Sequence, residues 1–412
     1  MEQDKFKFKR IFTIGSILMF SSAIYPILML EQNGSFDVLN SMHIRFCFII
    51  IYLISFIYLL PKLDILMKML RDNLVLIIFL SFVLFSTAWS TNSLESLIGL
   101  LGLTGTTCFA LFLTIYYDRS ELTSVFLISF WIMVISSLIF SIIFSSFAYH
   151  SDIHHDGVLR GAFTHKNVLG RTVALGLIVL IIKMVNDKKI FLSQVLLFIL
   201  SIFLLISSDS MSSLVITIVV ILLGYYLSLK INSKLYLSLT CFFITVVLIL
   251  IIFLISNWEY IMVSLGRDPT LTGRTVLWGF LLDLIHEKPI SGYGYQAFWL
   301  GEEGKYSNAI NNFFNWTFPH GHNGYLDLLL QIGLIGTLIY IIMYIITLKR
   351  ELKILNSAYI NKYSYLNILL FILFINITET NMIEPNSIFW ILFVYILLSG
   401  NLDFGKEVKK EL

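Results

Sequence analysis

The stretch Phe318-Pro319-His320-Gly321-His322-Asn323-Gly324-Tyr325 sets two imidazoles two residues apart beside a carboxamide. An imidazole of ordinary pKa, about 6.5, accepts a proton near neutrality, so His322 is a candidate general base. Asn323 would orient it or hold a sugar hydroxyl; a helix-capping loop with a solvated histidine is the other reading of the same residues. Upstream, the segment from Gly266 to Trp278 carries Arg267 and Arg274. A helix is expected from about Arg274 to Glu287, capped by Thr272 or Thr275, with Val276, Leu277, Phe280, Leu281 and Leu284 on its apolar face. Arg274 near its start, with free backbone amides beside it, suits a diphosphate, because guanidinium keeps its charge and presents a rigid donor fork. A third group is Arg160-Gly161-Ala162-Phe163-Thr164-His165-Lys166-Asn167, with Arg171 shortly after. The adjoining His150, Asp152, His154, His155 and Asp156 are of metal-ligating types, but their irregular loop spacing favours a solvated segment, and no metal is expected.

The elements that hold these groups are set by composition. Of 412 residues, 58% are hydrophobic and 13% charged, well outside the soluble range of about 45–50% apolar and about 25% charged. Backbone groups in hydrocarbon must be satisfied within the segment, so long apolar runs without strand alternation are read as helices. The expected class is all-α, a polytopic membrane bundle in a single domain over 1–412. Runs near spanning length occur at 11–30, 44–60, 74–90, 97–117, 122–148, 168–185, 190–207, 213–229, 236–256, 324–347, 363–379 and 387–400, which gives about twelve spans. The first follows Lys5, Lys7, Lys9 and Arg10 with no small-residue cleavage site, and is read as an uncleaved helix. Gly99, Gly102 and Gly105 have helix-packing spacing. Cys47, Cys108 and Cys241 fall inside apolar runs without paired spacing, as core or lipid-facing residues do.

With this count, most of the 28 basic residues lie on the side of the N-terminus, so the positive-inside rule puts both termini in the cytoplasm. Apart from Arg45 the exceptions cluster: Arg160, Lys166 and Arg171 in one short stretch, and Arg267, Arg274, Lys288 and Lys305 in the long segment 257–323 between the ninth and tenth spans. Long loops cross regardless of charge, which would account for the second cluster alone. Two cationic clusters on one face point to an anionic ligand there. Transporters set ionisable groups at mid-membrane, whereas Asp327, Glu379 and Glu384 all fall near outer helix ends. No nucleotide motif is present, and neither a nucleic-acid partner nor a cofactor is expected. The helix from Arg274 would lie along the membrane surface. Pro289-Ile290-Ser291-Gly292-Tyr293-Gly294-Tyr295 reads as a turn; its tyrosines and Trp299 would form an interfacial belt or stack on sugar rings. Gly333 and Gly336 would admit a neighbouring helix.

Taken together, these motifs resemble the bacterial O-antigen ligase and polymerase superfamily, and within it the exopolysaccharide-polymerase, ExoQ-like branch. The resemblance rests on Gly161 to Asn167, on Leu271-Thr272-Gly273-Arg274 with Trp278, on His322-Asn323 followed by Gly333 and Gly336, and on Lys288 to Gly294. It covers roughly residues 150–340. It implies a metal-independent, inverting glycosyltransferase that uses undecaprenyl-diphosphate-linked saccharides at the outer face of the cytoplasmic (inner) membrane. By motif, His322 matches the catalytic base and Arg274 the arginine on the donor diphosphate; Arg160 and Lys166 sit where further basic contacts are expected, with His320 and Asn323 beside the base. The family often carries Ser followed by Arg or Lys at the outer end of the eighth span. Here that stretch reads Ser208-Asp209-Ser210-Met211-Ser212, so Arg171 or Arg267 would have to compensate. A Wzy-type polymerase joining lipid-linked repeats is the implied activity. The alternatives are a ligase that transfers glycan to lipid A core or a protein, a flippase of the lipid-linked saccharide, and a scaffold. A chain-length regulator and a flippase are the expected pathway partners, and membrane lipid the solvent.

Overall fold

The computed structural model describes residues 2–23, 25–28, 42–151, 155–228, 257, 260, 263–264, 270, 273–356 and 364–400. Among these the secondary structure is helical, apart from an isolated bridge between Tyr149 and Leu159. The helices are α1 (Glu2–Phe20), α2 (Tyr25–Leu28), α3 (Met42–Leu59), α4 (Leu63–Arg71), α5 (Leu74–Ser86), α6 (Ser93–Tyr116), α7 (Arg119–Ile143), α8 (Ser145–Ala148), α9 (Lys166–Asn186), α10 (Leu192–Ser207), α11 (Met211–Ser228), α12 (Arg274–Glu287), α13 (Lys305–Phe314), α14 (Gly324–Asn356), α15 (Leu366–Ile375) and α16 (Ile388–Ser399). Each expected span overlaps a described helix except the ninth, 236–256, which lies outside the described residues, as do Arg267, Thr272, Asp152, His154 and Cys241. Among the described residues, six helical stretches are long and apolar enough to cross a membrane: Met42–Arg71, Ser93–Tyr116, Arg119–Ile143, Lys166–Asn186, Met211–Ser228 and Gly324–Leu355. The first expected span is interrupted: α1 ends at Phe20, a turn holds Ser22 at φ 65°, and α2 follows.

Sequence explains where the helices begin. Asp118 and Glu121 form a reciprocal capping box at α7, Asn92 accepts from Glu95 N at 3.2 Å to start α6, and Ser387 caps α16. Each satisfies amides that a helix start leaves without an internal partner. From Ile388 to Leu398, α16 is buried on all faces, the pattern of a helix at the centre of a bundle. By contrast, α3 and α10 expose Leu53, Phe56, Ile199, Phe203 and Ile206, apolar surface suited to lipid. The glycines of α6 pack as their spacing implies: a Cβ at Gly99, Gly102 or Gly105 would strike Gln296, Pro385 or Tyr52 within 3 Å. At the opposite end of α14 from its first residue, Glu351 accepts from Arg119 Nη1 at 2.9 Å and from Tyr365 N at 2.8 Å, linking α7, α14 and the start of α15.

The described part of 257–323 folds around a core of Leu277, Leu281, Ile285, Tyr293, Phe298, Ile310 and Phe318, completed by Leu330 of α14. Helix α12 has the expected bounds, but its buried ridge is Leu277, Leu281 and Ile285, while Val276 and Phe280 face outward. Its N-cap is Gly273 at φ 80°, with no side-chain cap; Thr270 Oγ1 instead accepts from Gly273 N. Tyr293 and Tyr295 belong neither to a belt nor to a sugar-stacking surface. Both are fully buried, their hydroxyls donating to Leu284 O and Ile383 O, because the turn carrying them runs inside the molecule.

That turn repairs a break in α14. Gly333 has φ 60° and ψ −169°, outside helical space. A helix broken there leaves the carbonyls of 330 and 331 and the amides of 334 and 335 without one another. All four are taken up by the turn: Tyr293 N and Gly294 N donate to Leu330 O and Gln331 O, while Leu334 N and Ile335 N donate to Pro289 O and Ile290 O. Gly333 therefore admits this loop backbone rather than a neighbouring helix, and the space beside Gly336 is filled by Ile332 of its own helix.

Candidate active site

Four separate segments meet at the N-terminal end of α14: the His320–Asn323 loop, the start of α12, the start of α9, and the 376–387 connection between α15 and α16. Their common point is Glu379, 3% exposed. Its carboxylate lies 3.6 Å from Arg171 Nη1 and 3.6 Å from Arg274 Nη2, and accepts from Asn167 Nδ2 at 2.9 Å. Arg274 also donates to Thr378 O at 2.6 Å. Gly324 N donates to Asn376 O and Glu379 O, stitching the 376–387 connection to the start of α14. Burial pushes the Glu379 carboxyl up, against the opposing pull of Arg171 and Arg274.

The histidine loop is held from both sides. Gly321 N donates to Asp327 at 2.9 Å, and Gly321 O accepts from Trp278 Nε1 at 2.9 Å, so α14 and α12 each grip the residue between the two imidazoles. Asp327 also accepts from Trp299 Nε1 at 2.7 Å and from the Thr380 hydroxyl. His322 sits at φ 50°, left-handed backbone that a non-glycine residue adopts at some cost. Its amide donates to His320 Nδ1 at 3.2 Å, and the two rings cross edge to face at 4.4 Å. His322 Nδ1 is buried with no hydrogen-bond partner. Burial, then His320, Arg274 and Arg171, push His322 far below the ordinary imidazole value. Burial, Arg171, Arg274 and His165 take His320 down to about 3. Both rings are therefore neutral near pH 7, the state a general base needs.

The other expected site residues are placed as follows. Asn323 caps α14: its Oδ1 accepts from Tyr325 N at 3.0 Å and Leu326 N at 3.2 Å. Arg171 joins the Glu379 cluster. Lys166 pairs with Asp209 at 3.2 Å, the acidic residue that stands where a basic one was expected. Arg160 is held against Phe147, donating to its carbonyl at 2.6 Å with the guanidinium over its ring. His165 caps α9 through Nδ1 and lies among His150 and His155; burial and those neighbours take it to about 3. Glu379 and Asp327 carry more of the site than their sequence positions showed. The available signal was that each is an acidic residue at the edge of an apolar run.

His320, His322 and Glu379 each place one possible metal-ligating atom within 4.8 Å of the others. The carboxylate in that group is already shared by two guanidiniums. Their positive charge opposes a cation at the same point and favours an anion.

Comparison with known proteins bears on this geometry. A family profile described as O-antigen ligase matches residues 195–341, which hold Arg274, His320 and His322 but neither Arg171 nor Glu379. The exopolysaccharide production protein ExoQ of Rhizobium meliloti is 30% identical over 101 residues, covering 24% of this chain and 23% of that protein. Both matches support the O-antigen ligase and polymerase superfamily for this chain, the one its motifs resemble.

Proposed function

We propose that the protein is a polysaccharide polymerase that joins undecaprenyl-diphosphate-linked oligosaccharide repeats at the outer face of the cytoplasmic membrane and releases undecaprenyl diphosphate. The observation that carries this reading is the convergence of two neutral imidazoles with two arginines on one buried carboxylate. An acceptor hydroxyl attacks the anomeric carbon while His322 takes its proton. The bond from that carbon to the diphosphate oxygen breaks, and the diphosphate leaves with the electron pair. Arg274 and Arg171 stabilise it, each such donor worth about 2.7–4 kcal/mol in comparable sites. Glu379 lies between the two guanidiniums, where the anion would bind. Its 3.6 Å spacing to each guanidinium is looser than a charge-assisted hydrogen bond, so both can turn to phosphate. Charge neutralisation by these arginines makes a metal unnecessary, and attack opposite the leaving group inverts the anomeric centre. The basic-residue bias supports cytoplasmic termini with the site outside, where a flippase would deliver substrate and a chain-length regulator act on product.

Replacing His322 by Ala should abolish polymer while lipid-linked single repeats accumulate outside, seen by gel profiling of surface polysaccharide and analysis of extracted lipid. A polymer ladder at wild-type level would refute the role of His322. The second reading, a ligase, is favoured by the description of the matching family profile. It predicts that a deletion strain keeps long polymer and loses only its attachment.

A further inference from the structure

Helix α13 carries Asn308, Asn311 and Asn312, and Asn315 follows as its C-cap, so that carboxamides recur three, four and seven residues after Asn308. Asparagine is a weak helix former, so four in and just past so short a helix work against its stability. These asparagines line a cavity of about 450 Å³ with Glu302, Trp316 and Thr317, within the roughly 300–1,000 Å³ of small-ligand sites. Asn311 is 7% exposed, its Oδ1 accepts from Phe318 N at 2.9 Å, and its Nδ2 is buried with no partner. Trp316 is 51% exposed at the rim.

We infer that this groove is a glycan subsite that binds a neutral oligosaccharide through the α13 carboxamides and the Trp316 face. A carboxamide offers donors and an acceptor together, matching hydroxyls that both give and take hydrogen bonds. An indole face suits the apolar C–H surface of a pyranose. Among the described residues no basic side chain lines the groove and Glu302 does, so uronate-rich or phosphorylated glycans are disfavoured. The bond from Phe318 to Asn311 ties the groove to the loop that carries His322. The assignment rests on the polymerase reading in that the glycan is the saccharide of the donor or of the acceptor.

The test is saturation-transfer NMR on the full chain in detergent, with neutral gluco-, galacto-, manno- and rhamno-oligosaccharides as probes and oligogalacturonate as the anionic comparator. At least one neutral probe should bind saturably, with affinity falling about tenfold or more in Trp316→Ala and in Asn308→Ala; oligogalacturonate should bind more weakly than that probe. No saturable neutral binding, binding untouched by both substitutions, or equal binding of the uronate overturns the site. In the reconstituted reaction, a Trp316→Ala rise in acceptor KM assigns the groove to the incoming repeat, and a rise in donor KM to the growing chain. Saccharide binding is read without turnover. A His322→Ala strain that still extends polymer therefore overturns the proposed reaction and leaves the groove standing.

Discussion

His322 is held in a conformation that its own backbone disfavours, beside a glycine gripped through both its amide and its carbonyl. Such strain persists only where surrounding contacts over-determine it. The same packing keeps the imidazole neutral, at the expense of its basicity. The proposed diphosphate would change that balance. Its negative charge offsets Arg274 and Arg171, favours the protonated ring and raises the His322 pKa toward the working pH. The acid limb of the pH profile should therefore lie at higher pH in kcat, which reports the substrate complex, than in kcat/KM, which reports the free enzyme. Rates in proteoliposomes with a lipid-linked repeat would show it; coincident limbs near pH 6.5 would remove the arginines from this role. At this scale the sequence singled out His322, Arg274 and Arg171 as candidates, because chemistry-bearing types stood out from apolar surroundings, and the fold brings them together around Glu379. The neutralisation of Lys166 by Asp209 and the sharing of Glu379 were not, since both depend on distant segments meeting.

Helix α14 supplies Asp327 at its start, which holds the histidine loop, and a break at Gly333, which the 289–294 turn completes. The break requires a residue at φ 60° and ψ −169°, a region open essentially to glycine, and a Cβ there would lie 2.3 Å from Ile290 O. Gly333→Ala should therefore cost more than the 1–3 kcal/mol of backbone strain alone, because the 289–294 turn must also move. Size-exclusion profiles and thermal unfolding in detergent should show a large loss of folded protein, and a near-normal melting profile would mean that the turn is not needed to complete α14. The helices themselves were readable from hydrophobic runs and caps. What the runs concealed was the break, because an uninterrupted apolar stretch reads the same whether its backbone is continuous or completed by another segment.

As a whole, the molecule is a bundle whose most buried helix, α16, carries no chemistry, while its charged groups gather at helix ends and in connections. The segment from 273 to 323 is better regarded as a small folded cap than as a loop, with its core shared with α14 through Leu330. Composition sufficed for the bundle. The cap's fold was partly legible, in the bounds of α12, and partly not, since Tyr293 and Tyr295 point inward where an exposed belt was expected. The repaired break also bears on the order of assembly. Residues 289–294 leave the ribosome before residue 333, so the acceptors and donors that complete α14 already exist when that helix enters the bilayer. A circularly permuted chain in which 289–294 are synthesised last would present α14 to lipid with four bare backbone groups, each costing several kcal/mol there. Its membrane yield should fall well below that of a permutant opened between 187 and 190, and equal yields would show that α14 waits for its partner at no cost. The direction of translation is thus part of how this helix comes to tolerate its own interruption.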